Sequence, residues 1–129
     1  MNQASSQHVE EVSRVVIDAL EDIKAEDIRQ LNVAGRSSFT DTMIIASGNT
    51  TRQVNALANN VIEKAKHAGF MPLGVEGESP GEWVLIDLGD VVVHIMVPQI
   101  RDFYNLEKLW AVDPDAEGET ASPEHPLDV

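Results

Sequence analysis

The chain contains no cysteine. That absence excludes a disulfide framework, a thiolate zinc site and a thiol nucleophile. No run of about 18 apolar residues occurs, so no segment is long enough to read as a membrane-spanning helix. "MNQASSQHVEEV" at the start lacks a basic stretch followed by an apolar one, and a secretory signal is not expected. The expected compartment is the cytoplasm. Positive charge is scarce too: 9 Lys+Arg stand against 22 Asp+Glu, for a formal net charge of −13. Six of the acidic residues lie in "DPDAEGETASPEHPLDV" (113–129), which has no Lys or Arg, leaving −7 on residues 1–112. An acidic body repels phosphate backbones, so direct nucleic-acid binding is not expected. A basic protein partner would be steered toward it. The four histidines, His8, His67, His94 and His125, are scattered without metal-ligand spacing. Neither a metal nor a cofactor is expected.

What is present suffices for one domain. The 129 residues are 43% hydrophobic, enough to bury a core without staples. Val9, Val12, Val15, Val16, Ala19, Leu20 and Ile23 follow the three-and-four spacing of an amphipathic helix over 7–24, with Ser6 as its expected N-cap. "DIRQLNV" (27–33) reads as a short strand, "GRSSF" (35–39) as a loop and "TMIIAS" (42–47) as a buried strand. Thr50 and Gln53 have capping-box spacing ahead of a stripe of Val54, Leu57, Ala58, Val61, Ile62 and Ala65. Lys64, Lys66 and His67 suit the end of that helix, and Gly69 supplies its stop. "MPLGVEGESPG" (71–81) holds a short strand and a turn-rich loop. A hairpin follows, closed by Pro98, and "RDFYNLEKLW" reads as one or two helical turns. The order is α-β-β-α-β-β-β with a terminal helical segment. It implies an α/β (α+β) fold, a mixed sheet of about five strands with helices packed on one face. The strand–helix–strand unit over 42–75 would make a right-handed crossover if its strands run parallel. Residues 1–112 form the expected domain, and 113–129 an acidic disordered tail.

In "EWVLIDLGDVVVHIMV" a two-residue Gly89-Asp90 turn sets the register: Leu88 opposite Val91, Asp87 opposite Val92, Ile86 opposite Val93, Leu85 opposite His94. Alternation then gives one purely aliphatic face, Val84, Ile86, Leu88, Val91, Val93, Ile95 and Val97, suited to lie under the helices. The other face carries Trp83, Leu85, Asp87, Val92, His94 and Met96. Asp87 and His94 are diagonal neighbours there, within reach of a carboxylate–imidazole contact. A tryptophan among Leu, Val and Met, edged by Asp and His, has the composition of a binding hot spot. The competing reading is that "RDFYNLEKLW" folds back over this face as a second small core, with His94 a structural histidine inside it. The two readings can coexist.

Catalytic constellations are weak. "SG" at 47–48 before a helix has the form of a phosphate-binding turn, but no acidic pair follows to hold magnesium. Ser47 lacks a nucleophile-elbow motif, and "GVEGESPG" lacks a lysine and P-loop spacing.

The pieces "SSFTD", "MII.SG", "RQV", "G..PLGVEG", "W.L.DLGDVVVHIM" and "R.FY.LE.LW" together resemble the ribosomal silencing factor family, also called the Iojap or RsfS family. The resemblance spans residues from about 8 to 111 and leaves the acidic tail outside. It implies a domain shaped like nucleotidyltransferases without their chemistry, hence no enzyme. It further implies binding to the large ribosomal subunit at ribosomal protein L-fourteen, a block on joining to the small subunit, and repression of translation when nutrients are scarce. Members are commonly homodimers when free. The implied contact surface centres on Glu76, Trp83, Asp87, Leu88 and Asp90. Leu88 is thereby claimed by both the core and the surface. His94, Arg101, Tyr104, Glu107 and Trp110 are further signature positions, and His94, Tyr104 and Glu107 join the expected partner-binding set. Tyr104 and Glu107, three apart on one helical turn, would hold the terminal segment to the sheet. The alternative is a degenerate nucleotidyltransferase-like enzyme that binds a nucleotide.

The acidic tail has no apolar period and carries prolines at 114, 123 and 126. Deleting residues 113–129 is expected to leave the melting temperature nearly unchanged. A large drop, read by thermal denaturation of the truncated chain, would show that the tail packs on the body.

Overall fold

The computed structural model describes residues 3–35 and 40–110. Most of the expected loop at 35–39 and the whole acidic tail lie outside the described residues. The elements are α1 (Gln3–Asp22), β1 (Glu26–Asn32), β2 (Thr42–Ser47), α2 (Thr51–His67), β3 (Gly74–Glu76), β4 (Trp83–Asp87), β5 (Val91–Met96), α3 (Pro98–Tyr104) and α4 (Leu106–Trp110). Their order is the one that hydrophobic periodicity predicts.

α1 buries Val12, Val16, Ala19 and Leu20, the centre of its apolar stripe. It begins at Gln3, so Ser6 lies within the helix instead of capping it. Helix propensity in "QASSQ" extends the element by a turn beyond the first apolar residue, where periodicity has nothing to read. The helix stops at Lys24, which takes a left-handed φ of 61°. Ala25 N–H then donates to the Leu20 carbonyl and Lys24 N–H to that of Glu21, the paired bonds of a Schellman closure.

α2 starts as its capping spacing predicts. Thr50 Oγ1 accepts from Gln53 N–H at 3.0 Å. Gln53 Oε1 reaches back one residue further than expected, accepting from Asn49 N–H at 2.8 Å. Its Nε2 donates to the Ile23 and Lys24 carbonyls, tying this helix start to the end of α1. Val54, Leu57, Ala58, Val61 and Ala65 are buried, and Gly69 follows with φ +93°.

The five strands form one sheet in the order β1-β2-β5-β4-β3. β2 pairs parallel with β5, Thr42 opposite Val91 through Ser47 opposite Met96. The other three pairings are antiparallel. β2, β5 and β3 therefore run one way, β1 and β4 the other. The connection from β2 through α2 to β3 does join parallel strands, but β5 and β4 sit between them. β1 bulges between Glu26 and Arg29, where Asp27 takes φ 51°.

The hairpin register is the expected one: Asp87 opposite Val92, Ile86 opposite Val93, Leu85 opposite His94. Its tip is stitched to the entry of β2. The Asp90 carbonyl accepts from Asp41 N–H, Thr42 N–H and the Thr40 hydroxyl. All seven residues of the aliphatic hairpin face join α1 and α2 in the main core. Leu88 is among them at 8% exposure, so its place in the core prevails over its place on the surface.

Gly77 turns the chain from β3 toward β4 with φ +91°. A Cβ there would overlap the Trp83 carbonyl oxygen. Gly77→Ala combines an unfavourable backbone region with a backbone clash and is expected to cost ~2 kcal/mol or more. Urea denaturation measures it.

Candidate functional site

Along β4 exposure alternates: Val84 and Ile86 are buried under the helices, while Trp83, Leu85 and Asp87 are half-exposed on the opposite face. Glu76 of β3 sits opposite Leu85 and is exposed on the same side. The neighbouring half of this face, formed by β5 and β2, is covered. Leu106 of α4 packs with Val33, Met43, Ile45 and Met96, and Trp83 and Ile100 border that cluster. The segment from Pro98 to Trp110 thus folds back over half of the face, and among the described residues the β4–β3 half is open. The expected second core and the expected open surface are both present, side by side.

Three aromatic rings mark the boundary. The Trp83 and Tyr104 centroids lie 4.9 Å apart, and Tyr104 lies 4.9 Å from Phe103, edge to face. Tyr104 is 45% exposed and Phe103 77%. A contiguous exposed apolar surface edged by carboxylates, here Glu76 and Asp87, is the form of a protein-binding patch.

His94 lies beneath it at 0% exposure and cannot touch a docked partner in this conformation. The Trp83 indole N–H donates to its Nδ1 at 2.9 Å. The expected contact between Asp87 and His94 is not formed. Asp87 Oδ1 instead accepts from the Gly89 amide at 2.9 Å, bracing the hairpin turn. Burial lowers the His94 pKa from 6.5 to about 4. The ring is therefore neutral, and with Nδ1 accepting, its proton sits on Nε2.

A buried arginine fixes the covering helices. Arg101, 5% exposed, donates from Nε and Nη2 to both Glu107 carboxylate oxygens at 3.1 and 2.8 Å. Its Nη1 donates to Ser47 Oγ at 2.8 Å. Glu107 therefore holds the terminal segment to the sheet, as expected, but not on one turn with Tyr104. Asn105 takes a left-handed conformation, φ 49° and ψ 54°, and splits the segment into α3 and α4. Tyr104 holds on separately through Trp83.

The enzymatic features dissolve in these bonds. Ser47 serves Arg101, and His94 serves Trp83, so the two share no triad. At the "SG" turn the Asn49 and Gln53 amides are already bonded to side chains. Among the described residues no group of three His, Asp or Glu is placed to hold a metal ion. No helix among them is long and apolar enough to cross a membrane.

Of the eight expected contact residues, the structure brings Glu76, Trp83 and Asp87 onto one face, with Tyr104 beside them. Asp90 stands at the hairpin tip with its side chain exposed. Leu88, His94 and Glu107 lie underneath or at the support. Alternation puts Leu85 on this face as well, but periodicity does not single out Phe103. Phe103 is the more exposed of the two aromatics of "RDFY", a difference that only the placement of α3 reveals.

The family described as "Ribosomal silencing factor during starvation" matches residues 6–128. The chain belongs to the ribosomal silencing factor family. The match runs past the 8–111 span of the recognised motifs, so the acidic tail does not lie outside the family's matched length. The ribosomal silencing factor RsfS of Chromobacterium violaceum is 51% identical over 102 residues, 79% of this chain and 84% of that one. The Haemophilus influenzae RsfS is 46% identical over 96 residues, 74% and 94% of the two chains. A crystal structure of a Chromobacterium violaceum protein superposes with a TM-score of 0.78 at 50% identity, covering 81% of this chain and 88% of that one. The family is named for silencing ribosomes and not for a reaction.

The unfolded chain binds the His94 proton more tightly than the folded one, so stability conferred by the neutral ring is complete above pH 6.5. It is lost as pH falls from 6.5 through about 4. The His94 share of the loss between pH 7 and pH 4 is expected to be roughly 3 kcal/mol. Urea denaturation across that range reads it as the difference in slope between the wild type and His94→Asn.

Proposed function

We propose that the chain binds the large ribosomal subunit through ribosomal protein L-fourteen and thereby blocks joining to the small subunit. Translation is repressed when nutrients are limiting, in the cytoplasm, and the free protein is a homodimer. The scaffold is read as nucleotidyltransferase-like in shape, retained for binding. The observation that carries the reading is the open aromatic surface of Trp83, Tyr104 and Phe103, continuous with Leu85 and edged by Glu76 and Asp87. Family membership supports a ribosomal role, and the −7 on residues 1–112 suits a basic protein partner better than RNA. Trp83, Asp87 and Glu76 make contact on this reading, Tyr104 and Phe103 extend the surface, and Asp90 lies at its tip. Leu88, His94 and Glu107 support it from below.

The test is co-sedimentation with isolated large and small subunits, together with binding to purified L-fourteen and to naked ribosomal RNA. Binding to large subunits and to L-fourteen is expected, and Trp83→Ala should weaken it by ~2 kcal/mol or more with an unchanged circular dichroism spectrum. Binding to naked RNA with none to L-fourteen would overturn the reading. An unfolded Trp83→Ala would make Trp83 a core residue.

A further inference from the structure

His94 stands where an aliphatic side chain would fit at lower cost. Its register partners are Ile45 on β2 and Leu85 on β4, and Met96 follows two residues along the same face. The imidazole is wholly removed from water. Its Nε2, which carries the proton, has no hydrogen-bond partner among the described residues. A buried donor left unpaired opposes folding. Leucine would fill a similar volume without that penalty. What leucine cannot supply is the acceptor for the Trp83 indole N–H. Trp83 is itself only half-buried, in contrast to the fully buried imidazole that accepts from it.

We propose that His94 is a positioning residue whose Nδ1 holds the Trp83 indole in one orientation against Tyr104, so that stability is given up to present that ring to the ribosomal partner. The proposal rests on the Trp83 face being the contact surface. The orientation of the ring is set from beneath by a side chain that the partner never touches. Preorganisation of this kind lowers the ordering cost of binding.

The test compares His94→Leu, His94→Asn and Trp83→Ala in the full-length chain. Each is measured for melting temperature, for affinity toward purified large ribosomal subunits, and for solvent exchange of the Trp83 indole N–H by NMR. That resonance is assigned by its loss in Trp83→Ala. Asparagine keeps an acceptor near the place of Nδ1. His94→Leu is expected to melt at or above the wild-type temperature, to bind roughly fivefold to tenfold more weakly, the scale of one hydrogen bond, and to free the indole N–H to exchange. His94→Asn is expected to melt lower yet to bind nearly as well as the wild type. If His94→Leu binds like the wild type while Trp83→Ala binds weakly, the positioning role is overturned and the contact face stands. If both His94 variants lose stability and affinity together, His94 is a packing residue and the proposal fails. If Trp83→Ala binds like the wild type, the contact face fails and the proposal with it.

Discussion

The parallel pairing of β2 with β5 is the constraint from which the rest of the molecule follows. Every residue of "TMIIAS" is buried, and β5 is nearly so. A strand buried on both faces demands cover on both faces. α1 and α2 supply one side, each contributing a stripe whose buried aliphatic side chains are worth about 1.5–3 kcal/mol apiece. The described chain beyond Val97, α3 and α4, supplies the other. α3 and α4 together lie over β2 and β5 and meet the strands on either side, β1 through Arg101 and Asp27 and β4 through Tyr104 and Trp83. Among the described residues the outer faces of β4 and β3 are less covered, and there half-exposed Trp83 and Leu85 and exposed Glu76 stand.

Arg101 makes that partial cover rigid. Two helices of seven and five residues have little stability alone. Leu106 gives α4 an apolar anchor, and the guanidinium ties Glu107 on α4 to Ser47 on β2. Both Glu107 oxygens and three of the arginine's donor groups are used, which makes burial of the charge tolerable. The aromatic row is thereby seated on a fixed support instead of a loose terminus.

Much of this was legible in the residue pattern. The period-2 alternation of the hairpin gave both its faces, and the Gly89-Asp90 turn gave its register. The α2 stripe and its Thr50 cap follow from local chemistry alone. The start of α1 was not legible, because "QASSQ" carries no apolar period. Asp87 and His94 are close in register, but register does not say whether the imidazole will pair with the carboxylate or with the Trp83 indole. Nor does it show that the Gly89 amide competes for the carboxylate. The break at Asn105 was invisible for a related reason: "RDFYNLEKLW" has helical spacing throughout, and a single left-handed residue resets the phase. Which half of a sheet face stays open depends on how far a later segment reaches, and that length is a three-dimensional quantity.

The sheet has two outer strands, and both are poor templates for further growth. β3 is only three residues long. β1 is longer but bulges at Asp27 and carries Glu26, Asp27 and Arg29 at that end. Charge and a kink on a border strand discourage another chain from extending the ladder. The row of Trp83, Tyr104 and Phe103 leaves apolar surface in contact with water, which is a liability for self-assembly. Blunt borders keep the backbone ladder from adding a second route to it.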